Sequence, residues 1–283
     1  VPDNTHINFF KYAGTTFGGS VVMLIASAIL FFTMGLNFGI DFRGGTTIRT
    51  QSTQAIDVGD YRGALTPLNL GDVSITQVFD PTFAADRHVS MIRIQAQEGE
   101  ESITPEVVTR VETALQAVDP SISFASVESV GPKVSGELIQ TAIISVLAAL
   151  GAIVVYIWLR FEWQFAIGAV VALIHDVGLT IGLFSLFQIK FDLAIIAALL
   201  TIVGYSLNDT VVVYDRVREN LRRYKRMTMP HLLDLSINQM LSRTLMTSIT
   251  TLLALIALFI FGGEVIRSFT FAMIWGVVVG TFS

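Results

Sequence analysis

Six stretches of this chain carry almost only apolar side chains for the length needed to cross a bilayer: Phe17 to Leu36, Leu138 to Leu159, Trp163 to Ile189, Leu193 to Tyr214, Met240 to Phe261 and Ser268 to Ser283. A spanning helix takes about 20 such residues, since at roughly 1.5 Å per residue they cover a hydrocarbon core about 30 Å thick. A water-soluble fold has no use for six of them, and composition agrees, with 52% hydrophobic and 14% charged residues and a mean hydropathy of +0.64. The sequence predicts an α-helical integral membrane protein with six transmembrane helices. The sixth stretch stops in mid-pattern after 16 residues, so a truncated helix and a further tail are expected beyond Ser283. The first is long for a signal-peptide core and lacks a small-residue cleavage site, which predicts a retained anchor.

Orientation follows from Lys and Arg in the short connections. Arg216, Arg218, Arg222, Arg223, Lys225 and Arg226 lie between the fourth and fifth stretches, and Arg160 between the second and third. Those connections are expected in the cytoplasm, with the N-terminus; the other side has only Lys190 and Arg267 in its short loops. The predicted division is 1–36, a cytoplasmic N-terminus and first helix; 37–137, a periplasmic α+β domain; and 138–283, helices two to six with a basic cytoplasmic loop at 215–239. The sequence has no cysteine, which excludes disulfides and thiolate metal sites, and its four histidines are too scattered for a local zinc motif. No phosphate-binding loop or nucleophile elbow is present, so neither an enzyme nor a cofactor is expected.

The insert between the first two helices has its own pattern. Thr46 to Thr50, Val73 to Phe79, His88 to Gln95 and Ser121 to Val130 read as strands. Asp57 caps a helix with Val58, Tyr61 and Leu65 on one face, stopped near Pro67, and Asp80-Pro81 is turn-like. Thr104 and Pro105 open a second helix with Val107, Val111, Leu115 and Val118 on one face. The order strand, helix, strand, strand, helix, strand is that of a ferredoxin-like unit. The insert holds 14 acidic and 7 basic residues, a balance that argues against a nucleic-acid role.

Chemistry concentrates where charge enters the apolar stretches. Asp209 lies within the fourth, at a cost of about 3 kcal/mol or more, and such a residue faces a protein interior, a counter-charge or a water path. His175 and Asp176 sit in the third, Asp176 roughly 18 Å deep. Arg243 enters the fifth at a height comparable to Asp209, ahead of Thr244, Thr247, Ser248, Thr250 and Thr251, while Asn208, Ser206 and Tyr205 are polar groups beside Asp209. Two alternatives stay open from position alone: an Asp209–Arg243 ion pair that only fixes packing, or a carboxylate that takes up and releases a proton. Gly178 with Gly182 and Gly276 with Gly280 form GxxxG patterns suited to close helix packing.

Several segments together resemble the SecF family of bacterial protein export, over essentially the whole chain. They are Phe38-Gly39-Ile40-Asp41-Phe42-Arg43-Gly44-Gly45-Thr46, Val130-Gly131-Pro132 with Gly136-Glu137-Leu138, Leu173-Ile174-His175-Asp176, Gly204-Tyr205-Ser206-Leu207-Asn208-Asp209-Thr210 and Ser242-Arg243-Thr244. The resemblance implies one six-helix half of the resistance-nodulation-division architecture in the inner membrane. It also implies pairing with SecD and YajC, and cooperation with the SecYEG channel on unfolded preprotein by means of the proton-motive force. By the same resemblance Asp209 and Arg243, with Asp176, His175 and Asn208, would contribute to proton passage, and Gly39, Asp41, Arg43, Gly44 and Gly45 would shape the junction of first helix and insert. Rival expectations are half of a proton-coupled exporter of lipids or small amphiphiles, and a non-transporting scaffold.

Overall fold

The computed structural model describes residues 5–55, 57–78, 86–95, 103–263 and 266–283. Its membrane part is built from helices α1 (Ala13–Met34), α5 (Pro132–Arg160), α6 (Trp163–Phe187), α7 (Leu193–Arg223), α8 (Met229–Phe261) and α9 (Arg267–Phe282). Five of the described helices are long and apolar enough to cross a bilayer; α9, with 16 residues, is shorter. Glycine or a left-handed residue ends two of them, Gly35 (φ 66°) after α1 and Gln188 (φ 49°) after α6. That stop places the end of α6 two residues before the expected Ile189.

Helix α1 begins at Ala13 and α5 at Pro132, ahead of the expected Phe17 and Leu138, and two helices run further past their limits. The 31-residue α7 continues to Arg223, and the 33-residue α8 begins at Met229 and is unbroken into the membrane. Hence most of the basic segment expected as a loop at 215–239 is helical, and the helix that Thr228 and Pro230 can start runs directly into the fifth span. Arg, Glu, Leu and Met are good helix formers, and Pro230 sits in the first turn, where a missing N–H costs nothing.

The glycine pairs set how closely these helices approach. A Cβ on Gly178 would come within 2.7 Å of Leu24, and one on Gly182 would overlap Ser27, so α1 lies against α6. On the other side, a Cβ on Gly276 would overlap Ile202, and Gly280 faces Ser206, which seats α9 on α7. Phe184, Ile195, Ala198, Ile202 and Ala272, all fully buried, fill the space between α6, α7 and α9.

The insert runs β2 (Gly45–Ser52), α3 (Val58–Leu65), β3 (Val73–Val78), β4 (His88–Gln95), α4 (Pro105–Val118), β5 (Ser123–Val130), with the short β1 (Asn37–Phe38) and α2 (Ile40–Arg43) leading into it. The sheet is antiparallel in the order β3-β4-β2-β5. The Asp80-Pro81 turn lies outside the described residues. Asp57 caps α3 by accepting from the Gly59 N–H at 2.7 Å, and both helices cover one sheet face, where Ile48, Ile92 and Ile94 meet Tyr61, Leu65, Val111 and Leu115. Cross-strand hydroxyl pairs, Thr50 with Ser90 at 2.6 Å and Thr46 with Ser129 at 2.7 Å, hold the register of β2. Buried Asp119 accepts from Ser52, Tyr61 (3.0 Å), and the N–H and hydroxyl of Ser121 (2.9 and 2.7 Å). Burial, the largest influence, pushes its pKa up, but those four donors together outweigh it and hold the carboxyl below its ordinary value.

Candidate functional site

Asp176 occupies the centre of the helix bundle and is fully buried. Period 3.6 on α6 turns it toward α7, with buried Ala169, Leu173 and Thr180 on the same side of the helix. Its Oδ2 accepts from the Ser206 hydroxyl of α7 at 2.6 Å and from the Ser283 hydroxyl after α9 at 3.0 Å, while Oδ1 lies 2.9 Å from His175 Nδ1. Gly280 leaves the approach open, since even a Cβ there would stand 3.5 Å from Oδ2. His175 Nε2 is buried with no hydrogen-bond partner among the described residues.

Asp209 lies on α7 one turn beyond Ser206 and is half-buried. Its Oδ1 accepts from the Thr244 hydroxyl of α8 at 2.7 Å, so α7 and α8 are neighbours at this height. The Asp209–Arg243 contact considered from height alone does not form: Arg243 is exposed and takes no ion pair among the described residues. Successive residues on a helix are separated by about 100°, so with Thr244 facing α7 the Arg243 side chain is turned away. Asn208, next to Asp209, is likewise exposed. A second set of hydroxyls joins three helices, with the Tyr205 phenol donating to Ser248 at 3.1 Å and Ser248 paired with Thr281 at 2.7 Å. Thr281 and Ser283 escaped the sequence reading, because a hydroxyl in an apolar helix carries no charge signal and only its neighbour reveals a role.

These groups have a common chemical property. A hydroxyl can donate or accept, so the hydroxyls around each carboxylate satisfy it when ionised and, by turning over, can accept its proton's hydrogen bond when neutral. Each carboxylate thus has a hydroxyl able to bond it in either protonation state, where an unpaired polar group in a hydrocarbon-like interior would cost several kcal/mol.

The glycine-bearing motif is placed at the opposite end. Gly39 N–H donates to the Phe191 carbonyl at 2.8 Å, and β1 pairs in parallel with β6 (Lys190–Phe191). Asp41 accepts from the Leu193 N–H at 3.0 Å, at the first turn of α7, beside the Lys190–Asp192 ion pair. Gly44 and Gly45 have φ of 71° and 123°, backbone that other residues avoid, and turn the chain from α2 into β2. Arg43 is exposed; its charge adds to burial in lowering the pKa of Arg93, against the raising effect of Asp192. No group of three or more His, Asp or Glu side chains able to hold a metal occurs among the described residues.

Comparison with known proteins matches these features. Residues 110–283 fit the family described as protein export membrane protein SecD/SecF, C-terminal, and residues 29–56 the SecD/SecF GG motif. The chain is 64% identical to the protein translocase subunit SecF of Cereibacter sphaeroides over 282 residues, covering 100% of this chain and 87% of that one, and 61% identical to its Rhodobacter capsulatus counterpart over the same shares. A Brucella abortus SecDF protein is 40% identical across 100% of this chain and 36% of its own. The crystal structure of SecDF from Thermus thermophilus, described as translocon-associated, superposes with a TM-score of 0.88 at 33% identity, and this chain covers 37% of its length. With both the membrane helices and the glycine motif matched, the chain belongs to the SecD/SecF family of protein-export membrane proteins, as a member of its SecF branch.

Proposed function

We propose that this chain is the SecF half of a proton-driven device that, with a SecD half, promotes preprotein translocation on the periplasmic side of the bacterial inner membrane. The observation that carries this is the placement of two carboxylates, Asp176 and Asp209, on adjacent helices among hydroxyls that suit either protonation state. Asp209 and Asp176 take up and release the proton, His175 is hydrogen-bonded to the latter, and Asn208 and Arg243 stand on the exposed side. That exposed side faces the partner half, where the Arg243 charge finds the counter-group it lacks among the described residues. The SecDF fusions, in which the matched region is about a third of the polypeptide, support a SecD partner. YajC, the SecYEG channel and unfolded preprotein complete the proposed assembly, with the lipid bilayer around it; no nucleic acid takes part. The insert is a ferredoxin-like unit, supported by its β-α-β-β-α-β order and antiparallel sheet, and α9 is the sixth span. The six basic residues of 215–239 favour an N-terminus and α7–α8 connection in the cytoplasm.

The test is a comparison in proteoliposomes and in cells. Asp209→Asn preserves size while removing titration, so complex yield is expected to stay normal while proton flux and proton-dependent preprotein export are lost. Normal export by that variant under a proton gradient would sink the proton role of Asp209. Orientation is checked separately: a cysteine placed at Lys225 in this cysteine-free chain resists an impermeant thiol reagent added outside intact spheroplasts.

A further inference from the structure

The side of the membrane away from the insert carries a feature that proton passage does not use. Its height is set by contacts at the α5–α6 turn, where Arg160 Nη2 donates to Asp215 Oδ1 at 3.2 Å and Phe165 packs on Tyr214 with centroids 4.9 Å apart. Exposed Trp158 and Trp163 flank that turn, as aromatic residues do at a bilayer interface. Asp215 therefore stands at the interface. Beyond it α7 continues to Arg223, roughly 12 Å farther at 1.5 Å per residue, and α8 returns from Met229, leaving only 224–228 outside the two helices.

The projecting pair is held together by polar groups. Buried Asn220 donates to Ser236 Oγ at 2.9 Å and to Gln239 Oε1 at 3.0 Å, and the same Gln239 oxygen accepts from Arg216 Nε at 2.8 Å. The segment before α1 straps the outside of α8. Asn238 accepts from the Ile7 N–H at 2.9 Å and donates to its carbonyl at 2.8 Å, and Asp234 accepts from the Phe10 N–H at 3.0 Å. At the tip Arg222, Arg223, Lys225 and Arg226 are exposed and form no ion pair among the described residues, with no carboxylate between Asn220 and Leu233. Exposed Leu221, Met227 and Met229 lie among them.

Setting topology requires the charge but not this construction, since a basic loop of any conformation serves. Stiffness matters for recognition, because a pre-ordered surface avoids the cost of ordering on binding, and Arg and Met are enriched at protein interfaces. Lipid is a poor fit for the occupant: along the α7 axis Arg222 and Arg223 lie roughly 11–12 Å past Asp215, more than the Debye length of about 8 Å at physiological salt. We propose that the α7–α8 hairpin is a docking post for an acidic surface on a protein at that face of the membrane. The naming of that face as cytoplasmic and the partner half used below rest on the function proposed above.

The experiment uses the full chain, purified with its partner half in nanodiscs of neutral phosphatidylcholine, and a fluorescent glutamate-rich peptide as probe. Wild type is expected to bind the peptide about tenfold more tightly than R222Q/R223Q/K225Q/R226Q. Two variants that keep all the tip charges, Asn220→Ala and Asn238→Ala, are expected to weaken binding about threefold or more by loosening the post. Unchanged affinity in both, with the fold intact by circular dichroism, would reduce the tip to bare charge and overturn the proposal. A short RNA binding more tightly than the peptide, or phosphatidylglycerol in the nanodisc abolishing peptide binding, would overturn it in favour of nucleic acid or lipid. In cells, a photo-crosslinker at Met227 is expected to label an acidic peptide stretch of a protein in wild type and not in the four-glutamine variant; lipid adducts alone would overturn it. Labelling of a cysteine at Lys225 from outside spheroplasts would correct the orientation while leaving the nanodisc result to decide the docking.

Discussion

Asp176 is the residue for which the surroundings matter most, because among the described residues two hydroxyls and one imidazole bond a carboxylate at zero exposure. Ser206→Ala removes one donor from Oδ2 and leaves the ionised form short of a hydrogen bond worth about 1.5–3 kcal/mol to a charged group. The expected outcome is a shifted pH profile of proton-dependent export with normal complex yield, read as export rate against pH; an unchanged profile would show that Ser206 only packs. In the insert, Asp119 shows the same chemistry in a setting where the sign of a pH effect can be worked out. Its pKa is depressed on folding, so its contribution to stability is present above the unfolded value near 3.9 and is lost as pH falls through the lower folded value. Acid melting of the chain, followed by hydrogen exchange in β2 and β4, is expected to show that loss below about pH 4, and Asp119→Asn to remove this dependence while lowering stability at neutral pH.

At the level of elements, the glycines decide which helices touch. Gly182 and Gly276 each lie where a side-chain carbon would overlap a neighbour, Ser27 of α1 and Ile202 of α7. Gly276→Leu is therefore expected to force α9 from α7 at a cost of about 1–3 kcal/mol or more, taking Ser283 away from Asp176 with it. Lower thermal stability of the purified complex, together with loss of proton flux, is the result to look for. Gly204 is a useful control, since its Cβ would meet nothing within 4 Å, and Gly204→Ala is expected to change neither within this chain.

For the whole molecule, the insert is tied to the membrane part at the helix that bears Ser206 and Asp209. Asp41, just after the first span, reaches the first turn of α7, and β1 pairs with β6 immediately before it. These contacts join the start of the insert to the N-terminus of α7. Asp41→Asn weakens a charge-assisted bond by about 1 kcal/mol, so amide exchange at 190–195 is expected to quicken several-fold while β2 and β4 keep their protection. Equal acceleration in the sheet would instead make Asp41 a determinant of the insert's own stability.

How much of this was legible beforehand follows from what each kind of pattern encodes. Apolar runs and capping residues are local, and so most helix and strand limits follow from the sequence, including a helix start at Thr228 and Pro230; the end of α7 does not, because its charged residues break the apolar pattern. The common height of Asp209 and Arg243 was also legible, because rise per residue is constant, and Thr244 beside Arg243 meets Asp209. Azimuth was not: which way Arg243 points depends on how α8 is rotated against α7, and packing puts Thr244, not Arg243, against Asp209. The sequence by itself determined a multi-pass membrane chain with charged residues set within its apolar helices, since bilayer thickness and helix geometry leave little choice. Only the tertiary structure decided which side chains meet them, bringing Ser206 and Ser283 to Asp176 and Leu193 to Asp41, because those contacts join residues far apart in the chain through close packing that glycine permits.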